Sequence, residues 1–174
     1  AKGKAIVNMV EMSQQERVAA VLPVKEFDDT HFIMMCTANG TAKKTPLSAY
    51  SNHRRGGIVA IGVDSEDSLI DAVLTDGTQD IILQKRGGKA IRFNEQDVRP
   101  MGRTAYGVRG VTLEEDDAVV GMIAVKREAS LLVATEHGYG KRTPISDYRI
   151  TGRGGKGIIS VQANERNGRV VAAR

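Results

Sequence analysis

The sequence predicts an all-β protein built as a propeller-like array of four-stranded blades. Three observations lead to this prediction. A pattern of about 49 residues recurs along the 174-residue chain, its β-branched and aliphatic runs are short, and no segment sustains the 3.6-residue period of a long helix. Each recurrence contains four such runs, the number of strands in a propeller blade. The 19 glycines supply the many tight turns that such an array requires.

The recurrence is clearest in two stretches that lie 98 residues apart. Residues 40–50 (GTAKKTPLSAY) and 138–148 (GYGKRTPISDY) share Gly, Lys, Thr, Pro, Ser and Tyr at matching positions. A diverged copy, residues 88–98, lies halfway between them and keeps the glycine and a basic residue, Arg92. The chain is therefore interpreted as one array over residues 1–174, with these parts: a partial blade at 1–24 and repeat units at 31–75, 79–125 and 129–174.

Each unit has the same order of predicted elements. The first strands are Phe32–Thr37, Asp80–Gln84 and Leu131–Thr135. A glycine turn follows each, at Gly40, Gly88 and Gly138, and leads to a short basic second strand at 41–45, 89–93 or 139–143. After a loop of about a dozen residues come the third strands, Ile58–Val63, Gly110–Leu113 and Gly157–Val161. The fourth strands are Leu69–Thr75, Ala118–Val125 and Arg169–Ala173.

Charge is segregated within each unit, although the net charge is only +4. Residues 41–63 carry four basic side chains and no acid, whereas residues 64–83 carry six acids and no Lys or Arg. Stacked blades would align these segments into a basic edge and an acidic edge, and an evenly spaced basic stripe suits the phosphates of duplex DNA. Lys and Arg that merely protect exposed strand edges are the competing interpretation. The predicted DNA-binding residues are Lys43, Lys44, Arg54, Arg55, Lys89, Arg92, Arg103, Arg109, Lys141, Arg142, Arg153 and Lys156.

Other chemistry finds little support in the sequence. Aromatic residues make up 4% of the chain, which disfavours binding of single strands by base stacking. There is no P-loop or GxGxxG motif, the three histidines lack metal-ligand spacing, and the single Cys36 cannot form an internal disulfide. We therefore expect no catalytic residue, metal or cofactor in this chain, and a soluble protein of a reducing, cytoplasmic compartment with no membrane segment.

Three stretches resemble one known family. CTANGTAKKT (36–45), MGRTAYGVRG (101–110) and HGYGKRT (137–143) together resemble the C-terminal domain of DNA gyrase A, in matching order and spacing across nearly the whole chain. The resemblance implies a β-pinwheel, whose blades exchange strands with their neighbours and whose basic perimeter wraps duplex DNA. It also implies a bacterial, nucleoid-associated ATP-dependent topoisomerase that introduces negative supercoils. Its partners would be the rest of gyrase A, together with gyrase B, in an A2B2 holoenzyme, with ATP and Mg²⁺ bound elsewhere.

Two features refine this resemblance. The family heptapeptide, Q-(K/R)-R-G-G-(K/R)-G, is nearly matched by residues 84–90 (QKRGGKA), but these fall at a predicted hairpin turn, so we interpret the match as coincidental. Residues 52–57 and 152–157 occupy the expected loop and are degenerate versions of it. None of the four tyrosines follows an arginine, the context of a topoisomerase nucleophile.

Two alternative functions remain open from the sequence. One is that of the topoisomerase IV C-terminal domain, which guides the choice of DNA segment. The other is a propeller scaffold for protein partners.

Overall fold

The computed structural model describes Gly3, Ala5 and residues 9–174. Within them, short antiparallel strands alternate with turns, and the only helical segments are three 3₁₀ turns, at Leu47–Tyr50, Glu95–Asp97 and Ile145–Asp147. The predicted partial blade at 1–24 lies partly outside the described residues, and residues 9–24 form no strand. No helix among the described residues has the length and apolar character needed to cross a membrane.

Eleven strands are present in the part of the chain that the structure describes. In the first unit they are β1 (Phe32–Thr37), β2 (Thr41–Pro46) and β3 (Leu69–Thr75). In the second unit they are β4 (Asp80–Lys85), β5 (Lys89–Asn94), β6 (Val108–Arg109) and β7 (Val119–Val125). In the third unit they are β8 (Ser130–Thr135), β9 (Gly140–Pro144), β10 (Ile158–Ile159) and β11 (Val170–Ala173). The all-β prediction is confirmed, as are the first, second and fourth strands to within one residue.

The strands form three sheets, and consecutive units exchange a strand. The first sheet has the order β3-β1-β2-β6, the second β7-β4-β5-β10, and the third β11-β8-β9. Strand β6 belongs to the second unit but completes the first sheet, and β10 of the third unit completes the second sheet in the same way. This exchange is the pinwheel arrangement that the family resemblance implied.

The predicted third strands are too long, and that of the second unit is displaced from the observed strand. Only two residues pair in each observed case, and residues 58–63 of the first unit form no strand. The chain turns after Arg109 because the N–H groups of Gly110 and Val111 both donate to the carbonyl of Gly40, which ends the ladder. The ladder begins just after Gly107, whose φ is +114° and whose missing Cβ would lie 2.6 Å from the carbonyl oxygen of Ala42. Only glycine permits this approach of the loop to β2.

Two hydrophobic cores lie between successive sheets. Met34, Cys36, Ile81 and Leu83 pack together between the first and second sheets. Ile82, Leu131 and Val133 pack between the second and third sheets. The alternation of side chains along β4 therefore sends Ile81 to one neighbour and Ile82 to the other. Because the second sheet buries both faces, the three sheets stack as an array. The fourth strands β3, β7 and β11 lie beside one another, and the second strands lie on the opposite side of each sheet.

Candidate nucleic-acid interface

The outer edges of the first two blades are each built by the unit that follows. The N–H of Met101 donates to the carbonyl of Lys44 at 2.8 Å, and the N–H of Thr151 donates to the carbonyl of Arg92 at 2.8 Å. Pro100 and Ile150 form parallel bridges with the same two residues. The loop of the following unit therefore runs along the second strand before its short exchange strand pairs there. Basic residues of two units meet at each outer edge.

Lys43 and Lys44 are buried, so the expectation that they lie on an exposed stripe is wrong. Lys43 is 0% exposed and Lys44 is 4% exposed. The Lys43 ammonium donates to the carbonyls of Ala60 and Arg103, the first at 2.8 Å. The Lys44 ammonium donates to the carbonyl of Glu95 at 2.8 Å and lies 5.0 Å from the centre of the Phe32 ring. The loop of the second unit covers both side chains, which the sequence of the first unit alone does not reveal.

The burial of these lysines has an electrostatic consequence. Desolvation lowers the pKa of Lys43 to about 8, with a smaller contribution from the nearby Arg103 guanidinium. Desolvation also lowers the pKa of Lys44, partly offset by the negative charge of Glu95. Burial disfavours the charged form of an amine unless an anion compensates it, and for Lys43 the partners are neutral carbonyls.

Three further predicted residues bind groups of the protein. Arg92 is half-buried, forms an ion pair with Asp80 at 2.7 Å, and donates to the carbonyls of Ile145 and Tyr148. Lys89 forms an ion pair with Glu114 at 2.8 Å. Arg103, also half-buried, donates to the carbonyl of Val59 at 2.8 Å. Much of the charge that the sequence assigned to phosphates therefore joins one unit to the next.

The remaining predicted residues are exposed. Arg153 is exposed, although its guanidinium donates to the carbonyls of Asp97 and Arg109. Arg55 makes only a long contact of 3.9 Å with Glu11, between two well-exposed side chains. The exposed members of the predicted set are Arg54, Arg55, Arg109, Lys141, Arg142, Arg153 and Lys156.

The predicted set omitted a pair of exposed arginines that lie near the second strands. Arg99 and Arg149 stand at equivalent positions, one residue after a buried Val98 or Tyr148 and one residue before the parallel bridge to the second strand. Both are therefore at an outer edge, in corresponding places of successive blades. Their spacing of fifty residues is visible in the sequence. Both arginines, however, lie one residue beyond the matching stretches 88–98 and 138–148 that define the repeat.

The predicted separation of acidic and basic edges fails in the second unit. The turn after β6 folds back over the β4–β5 hairpin, so that Glu114 forms ion pairs with Lys85 and Lys89, and Asp117 lies 3.4 Å from the Lys85 ammonium. Hydrogen bonds from Lys85 and Lys89 lower the pKa of Glu114 to about 2. Lys85 is 0% exposed, and its buried ammonium is compensated by these carboxylates.

Residues 84–90 form the β4–β5 hairpin turn, as predicted from the repeat. The Gln84 amide donates to the carbonyls of Lys85 and Lys89 and accepts from the Ser160 hydroxyl. Gln84 and Lys85 are both fully buried. This near-match to the family heptapeptide therefore serves the packing of a hairpin.

The described residues hold few groups suited to metal binding or to nucleophilic chemistry. They contain no group of three or more His, Cys, Asp or Glu side chains placed to hold a metal ion. Burial raises the pKa of the Cys36 thiol to about 12, with the charges of Asp67 and Asp71 adding to the effect. Tyr50 and Tyr148 are buried at 9% and 2% exposure, as expected for tyrosines that pack a blade.

Comparison with known proteins gives one consistent family. Residues 31–76, 86–126 and 129–174 match the family described as "DNA gyrase C-terminal domain, beta-propeller". The A subunit of DNA gyrase from Klebsiella oxytoca is 44% identical to this chain over 173 residues, which is 99% of this chain and 20% of that relative. The chain thus spans about a fifth of the length of the curated relatives it matches.

Two solved structures share the fold along the whole chain. The crystal structure of the C-terminal domain of DNA topoisomerase IV superposes with a TM-score of 0.91 at 27% identity, covering 99% of this chain and 54% of that one. The structure of the DNA gyrase A C-terminal domain superposes with a TM-score of 0.87 at 27% identity, covering 100% of this chain and 58% of that one.

Proposed function

Because this chain belongs to the DNA gyrase C-terminal domain family of β-propellers, we propose that it is a non-catalytic module that binds and bends duplex DNA. The observation that carries this proposal is the recurrence of exposed arginines at equivalent outer-edge positions, Arg99 and Arg149. Basic groups repeated at the spacing of the blades match a polyanion of regular charge better than they match a single protein partner.

The contacts would be made to phosphates and would carry no base sequence information. The exposed cationic side chains at the outer edges are joined by loops rich in glycine, which let the duplex backbone come close. Bending a duplex of 20–30 base pairs costs on the order of 1–6 kcal/mol, so many weak phosphate contacts must act together. The stacking of the sheets places such contacts at successive outer edges.

In the longer protein, the module would act with the remainder of gyrase A and with gyrase B. We propose that DNA wrapped on the outer edge is passed to the strand-passage machinery of an ATP-dependent topoisomerase, which then introduces negative supercoils. Catalysis, ATP and Mg²⁺ would belong to other parts of that assembly. The match to gyrase A sequences favours this role over the topoisomerase IV role, although the topoisomerase IV domain shares the fold.

The test is the ligation of a nicked circular duplex in the presence of increasing amounts of this chain. After the protein is removed, wrapping leaves a shift in linking number that grows with protein concentration, whereas simple binding leaves the distribution of topoisomers unchanged. Binding without any shift would contradict wrapping. Absence of binding at about 50 mM salt would contradict the DNA proposal and favour the protein-scaffold alternative.

A further inference from the structure

The first two sheets each carry one cation at the same rung beside the outer edge, but on different strands. Thr41, the first residue of β2, pairs with Arg109 on the exchange strand β6. Lys89, the first residue of β5, pairs with Ile159 on the exchange strand β10. Directly opposed residues project from the same face of a sheet. Lys89 therefore supplies to the second blade the cation that Arg109 supplies to the first.

These two cations differ in their surroundings. Arg109 is exposed. The Lys89 side chain is 36% exposed, and its ammonium lies 2.8 Å from one carboxylate oxygen of Glu114, in the turn that follows β6. The other oxygen of Glu114 accepts a hydrogen bond from the fully buried Lys85. Because the Glu114 side chain is itself 42% exposed, its carboxylate lies at the surface between one buried cation and one accessible cation.

Comparison of the first two units shows that Glu114 is not what holds its turn in place. Asp64 stands at the equivalent position of the first unit, fifty residues earlier. Three residues later in each turn, the carboxylates of Asp67 and Asp117 accept the N–H of a residue in the hairpin turn between the first and second strands. This cap is common to both units and docks the turn on the hairpin. The contact of Glu114 with Lys89 is an addition in the second unit, since the first unit has Thr41 at the position of Lys89.

We propose that Glu114 is an autoinhibitory residue, which holds Lys89 in an ion pair and so keeps this cation from a phosphate of the duplex. The inference rests on the proposed DNA binding and concerns its regulation. A lysine that is already paired with a carboxylate adds little to counterion release, so the second blade offers the duplex one cation fewer than its sequence contains. Because the pKa of Glu114 is about 2, its carboxylate stays ionised at neutral pH. An exposed ion pair is weak and is screened by salt, so the contact can open.

The test is a salt titration of duplex binding by the full 174-residue chain and by its variant Glu114→Gln. Release of Lys89 adds about one phosphate contact, so the slope of log K against log salt concentration should become steeper by about 0.9. The affinity of the variant relative to the wild type should accordingly fall by about 3.5-fold between about 50 mM and 200 mM salt. The variant keeps its fold because the Lys85 ammonium retains Asp117 at 3.4 Å and the carbonyl of Thr112 at 3.1 Å.

Two further substitutions separate the release of Lys89 from a general change of charge. Glu115→Gln removes the same charge from the exposed neighbouring residue and should leave the slope close to that of the wild type. Lys89→Ala should make the slope shallower by about 0.9 in the Glu114→Gln background, and by less than half as much in the wild-type background. Equal slopes for Glu114→Gln and Glu115→Gln, or equal effects of Lys89→Ala in the two backgrounds, would overturn the autoinhibition while leaving the DNA proposal intact. A wild-type chain that binds no duplex would overturn both.

Discussion

Lys43 shows how a single buried charge can make the stability of this protein depend on pH. Its pKa of about 8 in the folded protein is below the ordinary value of 10.5, so the unfolded chain binds the proton more tightly. Between these two pH values the unfolded state carries more bound protons, and the free energy of unfolding therefore rises with pH. We expect a rise on the order of 1 kcal/mol from pH 8 to pH 10.

The substitution Lys43→Met tests this directly, because it keeps the length of the side chain and removes the titrating group. Chemical denaturation at pH 8 and pH 10 should show the rise in the wild type and in the exposed control Lys126→Met, and should not show it in Lys43→Met. A rise that persists in Lys43→Met would mean that another group is responsible. The same variant should leave the salt dependence of duplex binding unchanged, since the ammonium of Lys43 is not available to a phosphate.

Glu114 also makes the free energy of unfolding rise with pH, but in the acid range. Its pKa of about 2 in the folded protein is below the ordinary value of 4.5, so its contribution to stability is present above pH 4.5 and is lost as the pH falls toward 2. Glu114→Gln should therefore reduce the loss of unfolding free energy between pH 4.5 and pH 2. It should also lower the free energy of unfolding at pH 7 by about 0.5 kcal/mol. This effect is small because the carboxylate is partly exposed. Urea unfolding at pH 3 and pH 7 measures both effects. The neighbouring exposed Glu115→Gln is the control, and an equal effect of the two substitutions would contradict the role given to the ion pairs.

At the scale of elements, the exchange strand β6 depends on the close approach of one glycine. Gly107 has φ of +114°, and a Cβ there would lie 2.6 Å from the carbonyl oxygen of Ala42. Gly107→Ala should therefore lower the free energy of unfolding by about 2–3 kcal/mol, through backbone strain and the loss of β6 pairing. Gly102→Ala, in the same loop, meets open space and should change the stability by about 0.5 kcal/mol or less. Thermal unfolding of the two variants, measured side by side, compares their stabilities. Similar losses of stability in both variants would mean that the approach of β6 to β2 contributes little to the fold.

The sequence predicted the elements whose signals are local. The first, second and fourth strands are runs of β-branched and aliphatic residues next to a glycine turn, and these signals act within a few residues. The predicted strand at β6 was misplaced, and the one at β10 was too long. Their partners lie in the preceding unit, at β2 and β5, and no local pattern specifies a partner about 68 residues away. The same cause hid the burial of Lys43 and Lys44: a lysine on a short basic strand looks exposed until the loop of the next unit covers it.

At the scale of the whole molecule, the basic residues divide into two groups with different roles. Those on the second strands of the first two units, Lys43, Lys44 and Arg92, bind carbonyls and carboxylates of the protein and join the units. Those on the loops that follow the 3₁₀ turns, such as Arg99 and Arg149, are exposed at the outer edges. The charge pattern in the sequence therefore predicts the repeat, whereas the neighbouring unit decides which of the charges are buried and which are exposed.

The central claim is that duplex DNA lies along the outer edges, and a salt titration of duplex binding tests it with two variants of equal charge. Arg99→Ala/Arg149→Ala removes two exposed outer-edge cations, and Lys126→Ala/Arg127→Ala removes two exposed cations from the connection between β7 and β8. Each phosphate contact contributes about −0.9 to the slope of log K against log salt concentration. We predict a slope about two units shallower for the arginine variant and a nearly wild-type slope for the control. Equal slopes for the two variants would contradict the outer-edge path of the DNA.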